Sequence, residues 1–479
     1  MPSTTCIRNA ACIVAWDAAN RRHAYLMGGD VAFAGDTLTY VGKRYDGTAE
    51  ETIDGTDLMV MPGLIDLHAH PSTEPFFRGV REEHGVPAMY MSGLYERSVA
   101  LQPDADARKA GKQVAFCEML LSGITSVADL SGIDEGWIDL AAQSGLRVFL
   151  APSYASARWH LENGWALKYR WDETAGRRGL DAALALIEQA AAHPSGRLSG
   201  IVSPAQIDTC TTDLLRDSFA AAEARDVPLT VHCAQSVNEF LVMVDRHGKS
   251  PVQFARDLGI LSPRTVLGHA MFIDEHSWVR WHTHSDLGIL VDTGTSVAHC
   301  PSPFARYGHT LEDFGRYHRA GVNLGIGTDV APHNVIEEMR LGAILARVAA
   351  RDITTTSVAA LFHAATVGGA AALGRPDLGR LTAGAKADLV LVDLANPWMR
   401  PARDPLRSLV FTAADRAVRT VFVHGAKVMD AGHVLTMDHE AALAAVAEGQ
   451  QRMLRDAPSR DWAHRTAEQI SPLSLPMLT

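Results

Sequence analysis

Between Met59 and Asp329 the chain repeats one texture eight times: an apolar run of strand length, then a longer stretch with helical periodicity. The runs are the one ending in His68, then 123–129, 147–152, 198–204, 228–232, 265–269, 295–299 and 322–329. Helices are predicted between them, for example over 104–121, 180–192, 212–224 and 251–258, each rich in Ala, Leu and charged residues. Strands connected through helices run parallel, and eight such units close into a (β/α)8 barrel rather than an open sheet. The fold class is therefore α/β, a TIM barrel.

The texture changes at both ends. Residues 6–51 alternate short apolar runs with Gly and Asp turns, and strand texture returns at 387–393 and 418–425. Two β segments flanking a barrel can pair into one accessory domain. The expected division is 1–58 and 381–436 for the two parts of a small β-sandwich, 59–380 for the barrel, and 437–479 for a helical tail with a loosely ordered end. Helices are also predicted over 335–350, which opens with an acidic pair, and over 355–373.

Composition narrows the partners. The net charge is −11 with both signs mixed, and no basic run suits nucleic acid or an anionic membrane surface. The N-terminus lacks a charged region followed by an apolar run, and no apolar stretch is long enough to span a bilayer. A soluble, cytoplasmic protein acting on a small molecule is expected. Six scattered cysteines, without a CxxC pair, do not form a disulfide framework.

Barrel active sites collect residues at the C-terminal ends of the strands. Five of the eight runs carry the candidate His or Asp at their ends: His68 with His70, His232, His269, His299 and Asp329. Residues i and i+2 of a strand share a face, so His68 and His70 project together with Asp66 in phase. Structural histidines have no reason to prefer one end of every strand. Imidazoles and a carboxylate around an open coordination position describe a hydrolytic metal site, where the pKa of a bound water drops to about 7. The expected ligands are His68, His70, His232 and Asp329, with Asp329 also accepting a proton. His269 is expected to polarise the substrate, and His299 to hydrogen-bond either Asp329 or the developing oxyanion. Cys233 and Cys300 each follow a strand-end histidine and read as small buried hydrophobes. A second His-x-His, His282 and His284, sits in a connection and reads as a decoy.

The segment Pro62-Gly-Leu-Ile-Asp-Leu-His-Ala-His70, the Leu-Gly-His269 and Val-Ala-His299-Cys-Pro strand ends, Gly-Thr-Asp329 and the closing Leu381-Thr-Ala-Gly-Ala-Lys-Ala-Asp-Leu-Val-Leu-Val-Asp393 together resemble the amidohydrolase superfamily. Within it the chain is most similar to the branch of triazine chlorohydrolases, phenylurea-type hydrolases and aminohydrolases of purines and pyrimidines, a placement supported by Arg78-Gly79 and Ala364-Ala-Thr. The resemblance implies a distorted barrel with a split β-sandwich, a divalent zinc or iron centre, hydrolysis at a carbon bonded to nitrogen or halogen, and a homo-oligomer of dimer size or larger.

Three departures from that pattern matter. Two-metal members carry a lysine at the fourth strand end, where this chain has Ile201-Val-Ser-Pro-Ala-Gln206; one divalent metal per chain follows, zinc first, with iron, manganese and cobalt also compatible. Aminohydrolases of the branch place a proton-shuttling glutamate three residues after the fifth-strand histidine, where Gln235 stands here and cannot titrate. Glu239 either returns to fill that role or lies on a solvent-facing helix position. After the seventh strand, Phe304 either faces an aromatic substrate or packs under its loop. Gln235, Phe304, Glu74 and His333 are the expected substrate contacts, His333 alternatively joining Asn334 at the next helix start. Phe76, Phe77, Tyr90, Tyr95, Tyr154 and Trp159 suggest an aromatic-lined pocket.

The expected activity is metal-dependent hydrolysis at an sp2 carbon, breaking a non-peptide C–N bond of an amide, urea or amino-heterocycle. The alternative within the same chemistry is hydrolytic dechlorination, since chloride leaves without a proton. The alternative of another class is a catalytically inactive scaffold, which would be expected to have lost at least one ligand type.

Overall fold

The computed structural model describes residues 3–81 and 92–478. Eight parallel strands occupy the positions read from the sequence: Leu64–Ala69, Ile124–Asp129, Arg147–Leu150, Leu198–Gly200, Leu229–Cys233, Thr265–His269, Ser296–His299 and Leu324–Ile326. They form two four-stranded ladders, strands one to four and five to eight. The ladders meet at two thin seams, through Ala69 beside Asp329 and through Val202 beside Leu229 with Gln206 beside His232. The seams are thin because the fourth and eighth strands are only three residues long.

Between strands and helices lies the main apolar layer, which includes Val127, Val148, Val231, Leu267, Val297 and Ile326. A second cluster gathers Leu67, Ala128, Phe149, Val266 and Ala298 from five of the eight strands, with Ile201 just past the fourth. Helices begin where their caps dictate. Asp104 accepts from the Ala107 N–H and starts Ala105–Leu121, and Asn334 accepts from Ile336 and Glu337 and starts Val335–Ala350. The helix expected over 355–373 is interrupted by a wide π turn at Ala364–Gly368, where the backbone packs against Leu324 at the start of the eighth strand.

Strands from both chain ends share one nine-stranded sheet. The halves join where Leu58–Pro62 pairs antiparallel with Leu389–Asp393. The sheet folds over on itself, bringing Phe33 against Phe422 with ring centroids 5.4 Å apart. A bidentate Arg147–Asp388 pair, buried on both sides, ties this domain to the third barrel strand.

Two features differ from expectation. Between the third strand and its helix stands a hairpin, Ala157–Leu161 paired with Leu167–Trp171, which the sequence reading passed over. Its signal was alternation around Glu162-Asn-Gly164, a turn sequence. The tail, moreover, is docked over most of its length, with 472–478 exposed and without regular structure. Helix His439–Asp456 packs on Ala105–Leu121, and the chain beyond it docks as far as Ile470.

Candidate metal centre

The site starts from Asp66, buried in the first strand. Its Oδ1 accepts from the backbone N–H of His68 (3.2 Å) and of Thr328 (3.0 Å), and its Oδ2 from the Thr328 hydroxyl (2.6 Å). The Asp329 N–H in turn donates to the His68 carbonyl at 2.8 Å. One carboxylate thus fastens the first strand to the eighth at the seam where their ladder is thinnest. Asp329 has φ +60°, a conformation costly for a residue with Cβ, and these bonds hold it there. Gly268 and Gly327 leave room for His68; a Cβ on either would come within 2.7 Å of its side chain.

Four side chains converge above this seam. His68 Nε2 lies 3.0 Å from His232 Nε2, His232 Nε2 lies 3.3 Å from His70 Nε2, and Asp329 Oδ1 lies 3.2 Å from His70 Nε2 and 3.6 Å from His68 Nε2. One donor atom from each falls within 4.8 Å of all the others. The hydrogen-bonding pattern says what they face. His70 Nδ1 donates to the Leu130 carbonyl and His232 Nδ1 to that of Ala205, which turns each Nε2 inward. Burial pushes the His232 imidazole down to about 3, so its Nε2 is a bare lone pair at neutral pH. The separations match the ~3.3 Å edge between ligands of a tetrahedral ion with bonds of ~2.0–2.1 Å. This donor set fits a divalent metal.

Burial would lower the His70 imidazole, but the Asp329 hydrogen bond and charge raise it, while the other three groups are shifted down. Burial would raise the Asp329 carboxyl, but the His70 hydrogen bond and the surrounding imidazoles reverse this and hold it far below the usual range. His68 is driven well below its ordinary value by burial and by the neighbouring histidines. His269 stands beside the four, its Nε2 4.0 Å from Asp329 Oδ2, with burial pushing its imidazole down to about 4.

A cavity of about 310 Å³ opens over His70, His232, His269 and Asp329. Of the expected substrate contacts, Glu74, Gln235 and Phe304 line it, and Phe304 meets His269 edge to face at 4.6 Å. The aromatic wall is Phe77, Trp159, Phe304 and Tyr307. Phe76 faces the C-terminal tail, Tyr154 bonds Ser218, and Tyr95 stands behind Trp159 with its hydroxyl on Ser236. Tyr90 lies outside the described residues.

Two expected site residues are elsewhere. His299 makes no hydrogen bond to Asp329 among the described residues; its ring packs on Phe314, and its Nε2 approaches Gly342 in the helix layer. His299 lines a small pocket beside His269 and Phe304 rather than the cavity over the four converging side chains. His333 is fully buried with Nδ1 against Glu118 and does not line the cavity, while Asn334 takes the capping role. His282 and His284 remain in their connection, and Cys233 and Cys300 are buried.

Sequence reasoning missed Arg97 and Gln206. Both line the cavity, and the Arg97 guanidinium lies 3.4 Å from Glu74 and stacks on Phe77. Glu239 is fully buried rather than solvent-facing. Its Oε1 accepts from the Ala234 N–H (2.6 Å) and its Oε2 from the Gln235 N–H (3.0 Å) and the Gln206 amide (3.5 Å), and burial pushes the carboxyl up to about 8. The available signal was Ser236-x-x-Glu239, the spacing of a capping box whose glutamate reaches back over the helix start.

The sequence profile of the amidohydrolase family matches residues 59–428. The chain belongs to the amidohydrolase family. It is a hydrolase of C–N bonds other than peptide bonds, with a divalent-metal site. A 5-methylthioadenosine/S-adenosylhomocysteine deaminase of Desulforudis audaxviator is 30% identical over 435 residues, 89% of this chain and 93% of the relative. The deaminase of that name from Haloarcula marismortui is 28% identical over 418 residues, 86% of this chain and 91% of the relative. Among solved structures, an adenosine deaminase from Xanthomonas campestris with bound zinc superposes with a TM-score of 0.80 at 24% identity, covering 94% of this chain and 99% of that one. Atrazine chlorohydrolase TrzN from Arthrobacter aurescens TC1, complexed with zinc, gives 0.79 at 24% identity, covering 93% and 100%. At that identity the two structures establish the fold. Among the described residues no helix is long and apolar enough to cross a membrane.

Proposed function

We propose that this amidohydrolase uses one zinc ion, held by His68, His70, His232 and Asp329, to hydrolyse a C–N bond at an sp2 carbon of a flat, nitrogen-bearing small molecule, releasing ammonia or an amine. The observation that carries the reading is the convergence of three imidazole Nε2 atoms and one carboxylate at the foot of an aromatic-walled cavity. Support for a single ion comes from Gln206 at the fourth strand end, whose neutral amide cannot bridge two cations. The relatives named as deaminases support an amino-heterocycle as substrate. Six buried, free cysteines suit a cytoplasmic enzyme.

A divalent ion supplies Lewis-acid polarisation of water and of the reacting carbon's substituents. The chain supplies the rest. Asp329 takes the proton from the attacking water and passes it to the leaving nitrogen. His269, neutral because of its burial, offers an uncharged N–H to the ring nitrogen or carbonyl oxygen on which negative charge develops. Phe304 and Trp159 hold the planar substrate, with Glu74 and Arg97 reading its far edge.

Gln235 favours a second reading, hydrolytic dechlorination of a chloro-heterocycle, because chloride needs no proton on departure. The deciding experiment measures ammonia, amine and chloride release over amino- and chloro-heterocycles, ureas and amides. Ammonia or amine release supports the first reading and chloride release the second. Absence of all three with zinc loaded would contradict both.

A further inference from the structure

The family profile ends at residue 428, yet the segment beyond it is built into the back of the cavity. Glu74, Phe77, Leu94, Arg97 and Leu101 form one wall, carried by the turn Glu74–Phe77 and the helix Ser92–Ala100 with its exit. None of these residues is on a barrel strand. What fixes them is the C-terminal segment. The Gln450 side-chain amide donates both hydrogens to main-chain carbonyls of the turn, Phe76 at 2.7 Å and Arg78 at 2.8 Å. The Ser471 hydroxyl accepts from the Arg81 N–H, Arg460 donates to the Gln102 carbonyl, and Arg465 pairs with the buried Glu96. Phe76, Ala100 and Leu101 share an apolar cluster with Val446, Met453 and Ile470. Contact is close enough to demand a glycine: a Cβ on Gly449 would stand 2.8 Å from the Phe76 ring and 2.7 Å from the Ala107 methyl.

We propose that the segment from His439 to Ser471 is a specificity element, which sets the position of the 74–78 turn and of the Ser92–Ala100 helix with its exit and thereby the fit of the substrate, without touching the substrate or the metal. Gln450 and Gly449 are its positioning residues. The inference deepens the proposed function, because it concerns the same cavity.

Deleting the segment would expose the whole apolar cluster and unfold the enzyme, so point variants of the full chain are the test. Gln450→Met keeps the length and loses both donors, whereas Gln450→Lys, one bond longer and able to fold back, supplies N–H donors again. With a substrate found in the release screen, Gln450→Met should raise KM about tenfold and leave kcat within about twofold, with metal content unchanged and Gln450→Lys recovering most of the loss. Hydrogen exchange, read in parallel, should speed up about tenfold over 74–81 and 92–102 in Gln450→Met and return towards wild type in Gln450→Lys. Unchanged protection in Gln450→Met would overturn the hold on the wall, with or without a known substrate. Lost protection with unchanged KM, or a fall in kcat accompanied by loss of metal, would overturn the specificity role. A screen without turnover would contradict the functional reading alone, and exchange would still decide whether the tail holds the wall.

Discussion

The foot and the wall of the cavity are held by different means. At the foot, His68, His232 and His269 sit on barrel strands, with His70 and Asp329 just beyond strand ends. Their places follow from the barrel itself, and Asp66 closes the first strand onto the eighth beneath them. On the wall, Glu74, Phe77, Arg97 and Trp159 sit on a turn, a helix and a hairpin outside the barrel. Gln450, more than 370 positions away along the chain, holds the turn in place. The foot sets the chemistry and tolerates little change, whereas the wall sets what enters and can be rebuilt.

Substitutions should separate the two regions by effect. The largest falls on Asp329. Asp329→Asn should lower turnover by roughly 10³-fold or more while the circular dichroism of the folded enzyme is retained. Comparable turnover in that variant would place the proton transfer elsewhere. Asp66→Ala removes the acceptor for three donors and should cost about 2–4 kcal/mol in urea unfolding, with metal affinity falling about 10–100-fold in a competitive titration. A stable variant with full metal affinity would show that the seam needs no such clamp.

Glu239 supports the boundary between foot and wall, and its effect is read from pH. Burial raises its carboxyl from about 4.5 to about 8, so the folded state holds the proton more tightly than the unfolded chain does. Its share of stability is complete below about pH 4.5 and declines as the pH rises to about 8. In Glu239→Gln that decline should be weakened, measured as the change in urea midpoint between about pH 5 and about pH 8. An equal slope in the variant would assign the effect to other groups.

Smaller effects belong to the wall. Phe304→Ala should raise KM about tenfold with kcat little changed, since the ring meets His269 and lines the cavity but carries no proton. Gln235→Glu should increase amine or ammonia release several-fold relative to chloride release, because it restores a titratable group beside the leaving nitrogen. A variant that favours chloride would sharpen the dechlorinase reading.

The contrast also explains what could be read from the sequence. Eight apolar runs give the barrel, and the His and Asp at five of their ends include the four converging side chains, because strand period and strand end fix where such residues point. His299 shows the limit of that rule: it ends its strand as His269 does, yet its ring packs on Phe314 and it does not line the cavity. Wall residues follow no period. Arg97 reaches the cavity from the Ser92–Ala100 helix, which the tail ties through Glu96 and, just past its end, Gln102, and the ties of Gln450 and Arg460 join positions hundreds of residues apart. Glu239 fell between the cases: its capping-box spacing was visible, but its burial depended on Gln206 from another strand end.

The most direct test of a single-metal foot is elemental analysis of the purified enzyme, paired with amine-release activity before and after chelation. One zinc per chain, with activity lost on chelation and regained on adding one equivalent back, is the expected result. Two metals per chain, or full activity in a metal-free enzyme, would contradict it.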